Sequence, residues 1–341
     1  MSPFTDFALT TDQVEGLLAA LGGRLLALCF GAGVDSTAML VALHAAGIRP
    51  NIITFADTGG EKPETYAHVD AVNQVLASWG WPPIITCRKQ TRPDTGYDSL
   101  YGKCLKNETL PSLAFGMKSC SIKWKQGPQD AVLQGVRRGP NQCAPHPVWS
   151  RAASTGARIV KLIGYDCGRA DWKRSKHLTA DADYDYAYPL QIIGWHRADC
   201  VEAITAALGT ELVPIKSACF FCPASKTWEL FWLAATHPDQ FELPLQLEAR
   251  ALTGKHSRFD AVEFGATWEE IVQTADRFPS SNTTVGLGRS FAWGQWARLN
   301  RVVDHEGRVD RSRRDDFLAQ SQALRSSDNA LDRRAAPCGN F

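Results

Sequence analysis

The sequence predicts an α/β fold, a doubly wound and mostly parallel sheet followed by a helical C-terminal region. Three observations carry this reading. Apolar runs of strand length alternate with segments of helical apolar spacing between Arg24 and Cys87. The first run turns into a helix through Gly31, Ala32 and Gly33. From Trp195 onward the helical patterns WHRADCVEAITAALG, TWELFWLAATH and QFELPLQLEARAL dominate.

The elements follow in order. Arg24 to Phe30 reads as a buried strand, and Asp35 to Ala46 as a helix stopping at Gly47. PNIITFA supplies a second strand ending at Ala56, Pro63 to Trp79 a helix, and PPIITC a third strand ending at Cys87. Residues 90 to 120 and 139 to 150 carry turn formers and read as irregular. RIVKLIG, Arg158 to Gly164, is a fourth strand that again ends at a glycine before a polar loop. Right-handed crossovers then make the sheet parallel, and ligands of such sheets gather at the carboxyl ends of strands. A further helical pattern lies within residues 264 to 303, and the chain is rich in Arg, Asp and Ser beyond Arg311. The expected organisation is a nucleotide-binding α/β unit with a cysteine site over residues 1–235, a helical region over 236–325 and a mobile tail over 326–341.

Composition bounds the function. With 341 residues, 44% hydrophobic and 21% charged, the chain has the makeup of a globular enzyme. No apolar run approaches the roughly 18 residues that span a bilayer, and MSPFTDFALT lacks a signal-peptide pattern, so a cytoplasmic protein without a membrane partner is expected. Net charge is only +1, yet Lys118 to Lys176 holds twelve Lys or Arg against three acids. That excess suits a phosphate-bearing ligand, from a nucleotide to a nucleic-acid backbone, although a solvated basic face accounts for many of the same residues. Ten cysteines in a reducing compartment point to metal or redox chemistry rather than disulfides.

The short side chains of Gly31, Ala32 and Gly33 let backbone amides approach an anion where the next helix presents its positive end. Val34 opens that helix, Asp35 suits a cap and Ser36 offers a hydroxyl. The loop is neither a Walker loop nor a GxGxxG fingerprint, and a plain strand-to-helix turn remains the alternative on these residues alone. FGAGVDST resembles the PP-loop pattern SGGxDS, and FADTGGEKPETYAHV at the next strand end resembles the DTGxxxPETY element. Both belong to the ATP pyrophosphatase and phosphoadenosine phosphosulfate reductase superfamily, the adenine nucleotide alpha hydrolases, whose sheet is Rossmann-like. The resemblance implies that Gly31 to Ser36 hold nucleotide phosphates, and that Asp57, Thr58, Gly59, Glu64 and Thr65 border the pocket; Gly164, at the end of the fourth strand, is expected at the nucleotide by its position. Gly31 stands where the family has Ser, which removes one phosphate contact.

Cys104, Cys120 and the CxxC pair Cys219 and Cys222 form a four-thiol set suited to zinc or to an iron–sulfur cluster. CSIKWKQGP resembles the cluster-binding segment of adenylylsulfate reductases. The layout is similar to cluster-bearing relatives from phages and DNA phosphorothioation systems, which implies a 4Fe-4S cluster, with structural zinc as the alternative. Cys338, in PCGNF, shares only a Cys-Gly pair with the ECGLH tail of sulfonucleotide reductases.

The activity this implies is ATP-dependent adenylation of an acceptor with release of pyrophosphate, coupled to sulfur transfer. Asp35, Ser36 and Asp57 are the catalytic candidates, with Mg²⁺ held by Asp35 or Asp57. Lys118, Lys123, Lys125, Asp166, Arg169 and Arg174 are expected to meet phosphate or acceptor. An adenine nucleotide, a phosphate-bearing acceptor such as nucleic acid, and a sulfur or electron donor protein are the implied partners. Two alternatives stand beside this: a sulfonucleotide reductase using Cys338, and a metal-stabilised nucleotide-binding module without catalysis.

Overall fold

Thr10 and Gln13 cap each other, Thr10 N–H donating to Gln13 Oε1 (3.1 Å) and Gln13 N–H to Thr10 Oγ1 (3.3 Å). This cap starts α1 (Thr11–Leu21), an element absent from the sequence-based expectation. The computed structural model describes residues 7–253, 286–289 and 291–332. After α1 come β1 (Leu25–Phe30), α2 (Val34–Ala45), β2 (Ile52–Asp57), α3 (Pro63–Ser78) and β3 (Ile84–Arg88), close to the spans that the apolar pattern predicts.

The long connection after β3 is more ordered than its turn formers suggest. It holds α4 (Leu100–Lys106), a helical turn α5 (Ser119–Ser121), a π-helical segment (Ile122–Gln126) and α6 (Gly127–Gln134). Pro147 then opens α7 (Pro147–Thr155) inside the stretch expected to be a loop. Next come β4 (Ile159–Ile163), α8 (Arg169–Ser175) and β5 (Tyr184–Ala187). YDYAYPL thus supplies a strand, followed directly by α9 (Pro189–Ile192). Among the described residues, the helical remainder is α10 (Arg197–Leu208), α11 (Thr227–Thr236), α12 (Pro238–Thr253), α13 (Trp293–Leu299) and α14 (Arg314–Asp332). α14 runs into the segment expected to be a tail; Cys338 lies outside the described residues.

The five strands are parallel in the order β3-β2-β1-β4-β5, with Ala27 opposite Ile52 and Leu25 opposite Ile159. Alternation along β1 explains the double winding. Leu26, Leu28 and Phe30 face a core made with α1, α2, α3 and α10, while Leu25 and Ala27 face a smaller one with Leu133, Val148 and Ala152 of α6 and α7. Chain order reverses direction at β1, so the crevice between the ends of β1 and β4 is the topological switch point.

A separate apolar core joins Leu100, Cys104 and Trp124 of the β3 to α6 connection to Phe231, Phe241, Trp293 and Phe317 of the C-terminal helices. It draws on residues from both sides of position 235. Glu248 is fully buried in it and accepts amides of Leu287 (2.6 Å), Trp293 (2.9 Å) and Gly294 (2.7 Å), which closes the turn before α13. No helix among the described residues is long and apolar enough to cross a membrane.

One polar link crosses the main core. Thr37 Oγ1 donates to Gly33 O (3.0 Å) and lies 2.8 Å from His68 Nε2, so the neutral imidazole carries its proton on Nε2 and donates it to Thr37. Burial pushes His68 down to a pKa of about 4, because an imidazolium there would lose its water. The unfolded chain therefore binds this proton first, and the contribution of His68 to stability is lost as pH falls from 6.5 through about 4. The full loss is about 3 kcal/mol. Denaturant titrations should show the wild-type advantage over His68→Gln shrinking by that order between pH 7 and 4; a constant difference would contradict a neutral buried imidazole.

Candidate active site

The loop after β1 is built by close approach. Ala32 takes φ +53°, a left-handed conformation that costs an L-residue about 1 kcal/mol. Its methyl is nevertheless packed in the core at 1% exposure, so the alanine is seated although glycine would relax the backbone. Gly33 N-caps α2; its N–H donates to Ser36 Oγ (3.2 Å), and Ser36 Oγ donates back to Gly33 O (3.0 Å). Ser36 thus spends its proton on its own turn. The remaining amides of the first turn of α2 have no intrahelical partner and give the crevice its anion-binding character.

Two glycines let other segments close on this turn. A Cβ on Gly164, one residue past β4, would stand 2.9 Å from Ser36 N and 3.0 Å from the Asp35 carbonyl carbon. A Cβ on Gly33 would stand 2.8 Å from Ser217 Oγ. Gly164 is therefore a packing requirement of the loop.

Charge gathers at the same switch point. Arg197 Nη1 donates to both oxygens of Asp35, at 2.8 and 2.7 Å. Burial raises the Asp35 carboxyl, Arg197 opposes this, and Asp166 adds to it. Burial likewise pushes Asp171 up to about 6, opposed by Arg174 and reinforced by Asp166 and Asp35. Arg174 binds Asp171 Oδ1 (2.7 Å) and lies over Tyr165, which stacks on Tyr188 with centroids 5.5 Å apart. Asp166 Oδ1 accepts from Gly168 N (2.8 Å), shaping the turn into α8, where Arg169 is exposed. The sequence-based candidates Asp35, Asp166 and Arg174 thus come together around this crevice, while Arg169 is exposed at the start of α8 without a contact to them. Arg197, Asp171 and Tyr165 join them without any local motif to announce them.

Asp57 has a different task. Its Oδ1 accepts from Gly59 N (2.7 Å) and Tyr66 OH (2.8 Å), and Oδ2 from Arg88 Nε (3.0 Å) and Nη2 (2.7 Å). Both oxygens are committed, so Asp57 organises the loop after β2 and offers little to a metal. Gly59, at φ +74°, lets Ser99 pack against it, and Thr58 O accepts from Leu100 N (2.9 Å). Thr58 Oγ1 donates to Glu61 Oε1 (3.0 Å) and lies 3.1 Å from Cys219 Sγ. Glu64 meets His237 Nε2 through Oε1 (2.6 Å), leaving Glu64 Oε2 and Thr65 Oγ1 buried without a protein partner.

The thiols fall into two pairs near Lys125. Cys120 adds to the upward shift of Cys104, and Cys222 to that of Cys219. The Lys125 ammonium is held well above its usual range chiefly by Glu61, at 3.8 Å, against the opposing effect of burial. Burial pushes Cys104 up to about 12 and raises Cys219 and Cys222 too, so all three are neutral thiols here. The donor types suit zinc or iron–sulfur chemistry. As placed, though, no three His, Cys, Asp or Glu side chains among the described residues form a metal ligand set. Lys118 and Lys123 are exposed nearby on the chain.

No family model and no curated protein matches this chain. Among solved structures, it is similar to a phosphoadenylyl-sulfate (PAPS) reductase from Candida auris in a phosphate complex. The match has 15% identity and a TM-score of 0.31, covering 61% of this chain and 84% of that one. At that distance the residues of this chain carry the reading themselves.

The two glycines separate by what their neighbours can do. Gly164→Ala drives a methyl into backbone and should cost about 1–3 kcal/mol in thermal or denaturant unfolding. Gly33→Ala meets only the end of the Ser217 side chain, which can turn away, and should cost less. Equal losses would contradict the close packing of β4 on α2.

Proposed function

We propose that this protein is a nucleotide-binding enzyme of the PP-loop type, taking ATP at the β1–β4 switch point and transferring its adenylyl group to an acceptor. The observation that carries the proposal is the Gly31–Ser36 turn, with the unpaired amides of α2 at the strand-end crevice beside a charged cluster. In the reaction an acceptor oxygen attacks the α-phosphorus, the bond to the bridging oxygen of the β-phosphate breaks, and pyrophosphate leaves. The loop amides are positioned to stabilise charge that develops on the phosphates. Arg197 holds the Asp35 carboxylate in place, and Arg174 supplies a further cation within reach of the crevice.

Mg²⁺ fits this reading as a counterion for the leaving pyrophosphate. Asp166 adds to the upward shift of Asp35 and of Asp171, so a cation arriving with the nucleotide phosphates would be favoured beside them, although as placed the three carboxylates do not form a ligand set. Asp57, already saturated, is not among its ligands. The basic, partly aromatic surface of α8 favours a phosphate-bearing acceptor.

Gly31→Asp tests the proposal cleanly. The nearest atom to a Cβ there is Ser36 Oγ at 3.7 Å, so the variant has room to fold. Its carboxylate would face the amides meant for phosphate. Calorimetric titration with MgATP should show saturable binding to the wild type and at least about a tenfold loss in the variant, or about 1.4 kcal/mol. Unchanged affinity, or no binding to the wild type, would sink the assignment.

The cysteine pairs support a second, separable reading, in which Cys104, Cys120, Cys219 and Cys222 close on a 4Fe-4S cluster or a zinc ion. It requires the two pairs to draw together, and no catalytic step is assigned to it. Protein purified anaerobically should then contain iron with broad absorbance near about 400 nm, or stoichiometric zinc without colour. Neither metal in protein with four titratable thiols would leave the pairs as core residues.

A further inference from the structure

We infer that the connection between β3 and α6 forms a second small-molecule site, for an organic anion with an apolar body. The connection lines an open cavity of 550 Å³, within the range of ligand pockets, formed by α4, the turn after it, α5 and the π-helical segment; Cys104 and Cys120 are part of its wall, so an anion here and a metal held by those thiols exclude each other. Leu100, Leu110, Phe115 and Met117 give it an apolar wall. Lys103, Asn107 and Thr109 supply polar groups, and no Asp or Glu lines it.

Three features point to an anionic occupant. The Trp124 ring forms part of the wall at 1% exposure, and its Nε1–H is buried without an acceptor. A buried donor left unpaired costs about 1–3 kcal/mol, which a ligand oxygen would recover. Lys89 lies 4.9 Å from the centre of the same ring, and burial together with Lys103 and Lys123 depresses its pKa, the sign of uncompensated positive charge. The nearest acid in sequence, Glu108, points its charge elsewhere, toward Arg250 at 3.5 Å.

The backbone around the cavity is specialised as well. Glu108 takes φ +50° between Asn107 and Thr109, with Thr109 N–H returning to Cys104 O (3.0 Å), a left-handed closure that fixes both neighbours on the wall. On the other side, Trp124 is presented by the π-helix, a form concentrated at functional sites. The proposal is independent of the ATP reading, because none of these groups belongs to the β1 loop.

Two fluorescent probes of almost equal shape test it. 8-Anilino-1-naphthalenesulfonate carries a sulfonate, and N-phenyl-1-naphthylamine has the same ring system without charge. The intact protein should bind the sulfonate at one saturable site, at least about tenfold more tightly than the neutral amine. Lys103→Gln, at a half-exposed position, should abolish that preference, and Trp124→Phe should weaken the sulfonate while sparing the amine. MgATP should leave both affinities unchanged. Equal affinity of the two probes for wild type, or a sulfonate preference that survives Lys103→Gln, would overturn the inference, as would displacement by MgATP.

Discussion

The architecture depends on the clasp between the loop after β2 and the segment that carries Cys219. Glu61 bridges Cys219 in antiparallel fashion, Phe220 N–H donates to Gly60 O (2.9 Å), and Gly60 has no side chain because Phe221 occupies the space. Below the clasp lies Glu229, 1% exposed, which receives Lys62 at 3.1 Å, Lys216 at 2.5 Å and the Lys226 amide at 2.9 Å. Burial disfavours this carboxylate, but Lys62 and Lys216 outweigh it and hold its pKa below the usual range. Such a network contributes little net stability compared with an apolar plug, yet breaking it strands a buried charge at a cost of several kcal/mol. Its effect is to fix register: the α/β sheet and the helical core meet in one arrangement, and Ser217 is thereby laid against Gly33.

The same clasp sorts the two sites by environment. At the switch point, three carboxylates and two arginines share a partly buried crevice. Beyond the clasp, positive charge stands beside apolar wall and neutral thiols. On these two environments rest the proposed nucleotide site and the proposed site for a more apolar anion. Lys125 and Glu61 mark the border between them.

Much of this was legible in the residues, and the physical reason is locality. Strands on a buried parallel sheet read as continuous apolar runs, so β1, β2, β3 and β4 declared themselves, as did the glycine turn. β5 is short and aromatic, and its role emerges only from pairing with β4. α1 rests on a two-residue cap followed by a weakly apolar face. Within the site, Asp35 and Gly164 stood out because they flank strand ends. Arg197 and Asp171 did not, since their partners come from distant parts of the chain. Asp57 shows the converse limit: its motif was plain, but only the three-dimensional neighbours Tyr66 and Arg88 reveal that both its oxygens are taken. The helical core was hidden because it pairs residues near position 100 with residues near 300, a contact no local periodicity records.

The π-helical segment has one more implication. Winding Ile122–Gln126 more loosely than an α-helix accommodates one residue beyond the regular repeat, and it sends Trp124 inward while Lys125 reaches Glu61. Both placements belong to a single local wind. A chain that lost one residue here could relax to an ordinary helix. It would forfeit the cavity wall and the border ion pair together, so a length change of one position is enough to decide whether this scaffold carries both.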